Sequence, residues 1–178
     1  MSQILDDCYT RLKMLGVDFN QDIPYIDLCL EAPAIVKKNR ANIGINRKTG
    51  GVFVGKNAQY EEFKKYYMDS LMIQKYGLKA KLGNIFPIRG PIILAYIFQV
   101  PNMKSLGDLS NLVEAPNDFL QEPKGKRTQC VGIIEDDKNI VSYLPPIRLL
   151  RPNEPAKTFI RIYYNLKGVK NIIGEANE

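Results

Sequence analysis

Residues 90–100, GPIILAYIFQV, decide the fold of this chain. The run is almost unbroken in β-branched and aromatic side chains, and the absence of polar alternation marks a strand covered on both faces. Such a strand needs neighbours, and the flanking sequence supplies them. Residues 24–30 (PYIDLCL) alternate as a strand, and residues 31–38 break it at Pro33. Residues 43–46 and 52–54 are two short strands joined through residues 47–51 (RKTGG), a hairpin in which glycine supplies the positive-φ positions. On the other side, residues 139–150 and 156–165 are two further strands; in the second, Phe159, Arg161 and Tyr163 alternate with Ile160, Ile162 and Tyr164.

Helices fill the remainder. Residues 57–76 carry Tyr60, Phe63, Tyr67, Leu71 and Ile73, with Glu61 and Glu62 early and Lys75 late, the order that a helix dipole favours. That aromatic stripe is expected to be core. Residues 3–15 place Ile4, Leu5, Cys8, Leu12 and Leu15 at helical spacing before Gly16, and an acid-rich helix follows the buried strand directly. The tail from residue 168 is expected to be loose. With no internal repeat or linker, residues 1–178 form one α+β domain, a mixed sheet packed by two main helices.

Composition narrows the function. The 178 residues are 45% hydrophobic and 25% charged, with a formal charge of +6 and a pI near 9.1, which favours polyanionic partners, nucleic acid before an anionic membrane surface. Cys8, Cys29 and Cys130 show no paired spacing and the chain has no histidine, so neither a disulfide framework nor a Cys/His zinc site is expected. Hydrolysis through a histidine base is excluded. Any metal would be a hard ion held by oxygen, Mg²⁺ or Mn²⁺. The opening MSQILDDCYTRL has no basic n-region and no long apolar run, so we expect no signal peptide, no membrane span and a cytoplasmic protein.

Acid is concentrated in one place. Of 19 acids and 25 bases, seven carboxylates (Asp108, Glu114, Asp118, Glu122, Glu135, Asp136 and Asp137) but only Lys124, Lys126 and Arg127 lie between residues 108 and 137. Consecutive Glu135, Asp136 and Asp137 repel one another, which a divalent cation or nearby bases would relieve. The segment reads either as a solvated acidic turn or as a metal site.

The spaced set Asp108-Leu109-Ser110-Asn111-Leu112, Ala115, Asp118-Phe119-Leu120 and Asp136-Asp137 resembles the RusA-like Holliday junction resolvases, across residues 25–165. Those are small Mg²⁺-dependent endodeoxyribonucleases that act as symmetric dimers on four-way DNA junctions. The resemblance implies Asp108 and Asp137 as metal ligands, Asp136 as the partner acid, and Asn111 and Asp118 as matching helix positions. Two residues depart from the pattern: Ser110 stands in place of a second metal-binding aspartate, and Glu114 in place of a lysine associated with catalysis. On a helix, Ser110 and Glu114 are ~40° apart around the axis and ~6 Å along it, so Glu114 could reach back as a substitute ligand beside the Ser110 hydroxyl.

Pro116 admits two readings. Either the helix begins near Asp108 and carries the proline inside, at a cost of ~3 kcal/mol or a kink, or Pro116 is its first residue and Glu114 need not face Ser110. Lys37, Lys38, Arg40, Arg47, Lys48, Lys104, Lys124, Lys126 and Arg127 are expected to contact DNA phosphates, or else to form a solvated surface. The expected activity is Mg²⁺-dependent resolution of branched DNA by a homodimer. A DNA-binding dimer with a decayed site, and an interaction protein whose acids pair with their basic neighbours, are the alternatives.

Overall fold

The computed structural model describes residues 23–33, 42–45, 48–55, 58–102, 108–125 and 130–166. The helix expected at 3–15, the tail expected from 168, and Lys37, Lys38, Arg40, Arg47, Lys104, Lys126 and Arg127 lie outside the described residues. In chain order the elements are β1 (Tyr25–Leu30), β2 (Asn42–Ile45), β3 (Val52–Gly55), α1 (Ala58–Leu82), β4 (Ile92–Val100), α2 (Leu109–Leu120), β5 (Ile140–Tyr143), β6 (Ile147–Leu150) and β7 (Lys157–Tyr163). The architecture is α+β, a mixed five-stranded sheet with two helices, and β2 and β3 form a separate antiparallel pair.

All nine residues of β4 are buried, as its unbroken apolar run requires. On one side it pairs antiparallel with β7, which pairs antiparallel with β1. On the other side it pairs in parallel with β5 and β6. The strand's two faces divide by parity. Leu94, Tyr96 and Phe98 join Phe63, Tyr67 and Leu71 of α1 and Leu112 and Phe119 of α2 in the main core. Each such side chain contributes roughly 1.5–3 kcal/mol by leaving water. On the opposite face Ile93 and Ala95 meet Leu144, Tyr163 and Leu166, while Ile97 meets Ile147, Leu149 and Phe159.

Polar groups inside the sheet are paired. The Tyr67 hydroxyl donates to Thr158 Oγ1 at 2.8 Å, and Thr158 donates onward to the Ala32 carbonyl at 3.2 Å. Asp27 and Arg161, directly opposed across β1 and β7, form a bidentate pair at 2.7 and 2.9 Å, with the guanidinium carbon 3.8 Å from the centre of the Tyr25 ring.

Two expectations need correction. Residues 139–150 are not one strand: β5 and β6 occupy successive lengths of the same β4 edge, separated by Leu144, Pro145 and Pro146. Prolines cannot donate to the ladder, so the chain leaves it there. The long helix does not stop at Tyr76 but continues through Gly77 to Leu82. A mid-helix glycine costs about 1 kcal/mol, and Leu78, Lys79, Ala80, Lys81 and Leu82 are all good helix formers that carry the element on. It ends where Gly83 takes φ +76° and donates its N–H to the Lys79 carbonyl at 3.0 Å.

Candidate functional site

The site grows from the return of the chain after α2. That helix runs unbroken from Leu109 to Leu120 with Pro116 inside and Asp108 at its N-cap, which settles the first of the two readings of Pro116. Its last carbonyls are taken by the returning backbone: Val131 N–H donates to Phe119 at 2.8 Å, Gly132 to Gln121 at 2.7 Å, and Ile133 to Leu120 at 2.8 Å. Lys75 of α1 adds a bond from its ammonium to the Val131 carbonyl at 2.8 Å. Ile88 N–H then donates to the Ile133 carbonyl at 2.8 Å and Glu135 N–H to the Ile88 carbonyl at 3.0 Å, which ties the first of the three consecutive acids to the segment that leads into β4.

Those acids have different surroundings. Glu135 faces Arg89 at 3.5 Å and accepts from Asn139 Nδ2 at 3.3 Å. Asp136 caps the 3-10 turn Asp137–Asn139, its Oδ1 accepting from the Lys138 N–H at 3.1 Å while Oδ2 pairs with the Lys124 ammonium. Asp137, the next residue, is exposed. The Lys124 ammonium holds the Asp136 carboxyl well below the usual carboxylate range, helped by Asp137 and by the Lys138 N–H. Asp136 in turn pushes the Asp137 carboxyl up, as does partial burial.

Beneath the turn lies a polar link that sequence reasoning missed. Asn117, 9% exposed, accepts from the Tyr96 hydroxyl of β4 through Oδ1 and donates from Nδ2 to the Tyr143 hydroxyl of β5 at 2.8 Å. The buried Tyr96 needs an acceptor, so the amide has one orientation and the Tyr143 phenol keeps its own proton to donate. Burial raises that phenol, and the charge of Asp137 raises it further, placing the two groups in one neighbourhood. A polar residue after Pro116 in the otherwise apolar face of α2 is the signal that could have revealed Asn117.

The other expected ligands do not join this pair. Asp108 is exposed, and its side chain makes no capping bond although its carbonyl accepts from Asn111 N–H at 3.0 Å. Nine residues separate it from Asn117, ~13 Å along the helix axis. Ser110 is exposed near the same end, and Glu114 is half-buried one turn further on. Among the described residues no three Asp, Glu, Cys or His side chains are grouped so as to hold a metal ion. The expected convergence of Asp108, Ser110, Glu114, Asp136 and Asp137 into one metal-holding group is therefore not found among the described residues, and only Asp136 and Asp137 are adjacent, by sequence. Asp118 lies near Cys130, whose thiol is raised by burial and then by that carboxylate. Lys48 is exposed in the hairpin turn.

What remains is an oxygen-only pair of adjacent carboxyls beside a lysine. It suits a hard cation that keeps most of its water, because Mg²⁺ is commonly held by one or two carboxylates together with substrate phosphates. None of the described helices is long and apolar enough to cross a membrane. No protein-family model matches the chain, and no curated protein matches it.

Proposed function

We propose that this protein is a divalent-metal-dependent endodeoxyribonuclease acting on branched DNA, with Asp136 and Asp137 as the carboxylates that hold Mg²⁺ or Mn²⁺. The observation that carries the reading is the adjacent pair Asp136 and Asp137 on a turn whose lead-in is tied by backbone bonds to Ile88, ahead of β4, and to Leu120 at the end of α2. The resemblance of the spaced acidic set to the RusA-like resolvases and the basic balance of the chain support it. When bound, the cation would neutralise charge on the scissile phosphate and lower the pKa of an attacking water. In its absence the Lys124 ammonium neutralises Asp136. Tyr143, whose hydroxyl accepts from Asn117, keeps its own proton to donate to a phosphate oxygen or a water.

Incubating the protein with a synthetic four-way junction and Mg²⁺ or Mn²⁺ tests the reading. Paired nicks that disappear in Asp137→Asn support it, and intact junction under every metal condition overturns it. The Lys124 ion pair on Asp136 and the placement of Asp108 and Ser110 at the first turn of α2 favour a second reading, a homodimer that binds branched DNA without cutting it. Salt-sensitive binding of the junction without nicks is its signature.

A further inference from the structure

Just ahead of β4 stands an arginine that the fold does not use. Arg161 shows what a structural arginine looks like in this chain: it is 5% exposed, and its Nε and Nη2 both bond to Asp27, at 2.7 and 2.9 Å. Arg89 differs in each respect. Its side chain is 74% exposed, and its one ion pair among the described residues runs from Nε to Glu135 Oε1 at 3.5 Å, longer than a hydrogen bond. The Nη donors, the part of a guanidinium fork that matches a phosphate, bond to nothing among the described residues.

The backbone beneath Arg89 is held all the same. Ile88 is 3% exposed, and its N–H and carbonyl are taken by Ile133 and Glu135. Gly90 then takes φ +77° before the chain enters β4. Glu135 spans the distance to the acid pair: its Oε1 meets Arg89 while its Oε2 accepts from Asn139, the last residue of the turn that Asp136 caps and Asp137 opens. One carboxylate therefore separates the Arg89 guanidinium from that turn. Charge selects the ligand, because three consecutive acids repel a phosphate unless cations stand beside them. Lys124 stands beside Asp136, and Arg89 is the cation beside Glu135.

We propose that Arg89 is a phosphate-binding residue of this site, its Nη fork holding a backbone phosphate of the DNA strand that crosses the Asp136–Asp137 turn. The inference rests on the reading of the turn as a site for branched DNA, but it concerns binding, so it is read in EDTA, without cleavage. The affinity of the full-length chain for a synthetic four-way junction is measured across a salt series. Arg89→Gln should weaken binding by at least ~10-fold and lower the slope of log affinity against log salt by about one, the mark of one lost phosphate contact. Arg89→Lys should keep the slope and lose ~2–5-fold, because an ammonium preserves the charge but not the fork. Methylphosphonates placed singly around the branch should find one position that costs the wild type ~5-fold or more and costs Arg89→Gln nothing. Circular dichroism should not change in either variant, since an exposed ion pair contributes little to the fold. An unchanged slope in Arg89→Gln, no methylphosphonate position that separates the two proteins, or a loss of circular dichroism in both variants overturns the proposal for Arg89 alone. Junction binding that depends on Arg89 but gives no nicks in Mg²⁺ or Mn²⁺ overturns the cleavage reading and supports Arg89, and a wild type that does not bind the junction overturns both.

Discussion

Replacing Asn117 by alanine should cost far more than its single side chain suggests. In the native fold the amide accepts from Tyr96, whose side chain is 1% exposed, and donates to Tyr143, which is partly open to solvent. Truncation leaves the Tyr96 hydroxyl buried without an acceptor, a penalty of ~1–3 kcal/mol, whereas Tyr143 can turn to water and loses only about 0.5–1 kcal/mol. The total is about 2–4 kcal/mol, equivalent to a fall of about 5–15 °C in Tm for a chain of this length. Urea titration followed by circular dichroism measures it. The mechanism further requires that Tyr96→Phe in the Asn117→Ala background be cheaper than in the wild type, because the hydroxyl it removes has already lost its partner. The double variant should be more stable than the sum of the single costs implies, by ~1–2 kcal/mol. Strict additivity, or a cost for Asn117→Ala below about 0.5 kcal/mol, refutes the argument.

Other consequences can be checked as directly. Asp137→Asn should weaken Mn²⁺ binding by at least ~10-fold in isothermal calorimetry while Glu114→Gln changes it less than ~2-fold; the reverse order would return the metal to the first turn of α2. Lys124→Ala removes the cation that competes for Asp136 and should tighten Mn²⁺ by ~2–10-fold, and a weakening would show that Lys124 supports the site instead. Asp27→Ala strands the guanidinium of Arg161, and because the Asp27 side chain is 30% exposed we expect a loss of ~2–3 kcal/mol in urea unfolding, less than a fully buried pair would show. A loss under ~0.5 kcal/mol would mean that the Tyr25 ring alone accommodates the charge.

The sheet was legible because β4 is apolar without alternation and β1 alternates strictly, so periodicity and burial agree, whereas β7 alternates in burial only as far as Ile160. The proline pair after Leu144 was equally visible, but only the register against β4 reveals that the chain leaves the edge and rejoins it. The extension of α1 past Gly77 was hidden because a glycine ends some helices and merely weakens others. At the site, adjacency in sequence was sufficient to bring Asp136 and Asp137 together. Contact between Asp108 and Asp137 depended on whether α2 survives Pro116, and a helix that continues separates residues that a break could have gathered. Asn117 was overlooked because a buried amide and an exposed one are identical in sequence; only the hydroxyls of Tyr96 and Tyr143, 21 and 26 residues distant, define its role.

The pairing of β1 with β7 joins Tyr25 to Tyr163. During synthesis the earliest strand of the sheet must therefore wait, unpaired, until its neighbour leaves the ribosome some 140 residues later, and β4 likewise lacks its antiparallel partner until then. Loop closure over that span costs little extra free energy but delays folding, so the sheet is completed only once β7 has emerged. The nascent chain meanwhile exposes the Ile92–Val100 run, which makes it a natural client for a chaperone that grips extended apolar segments.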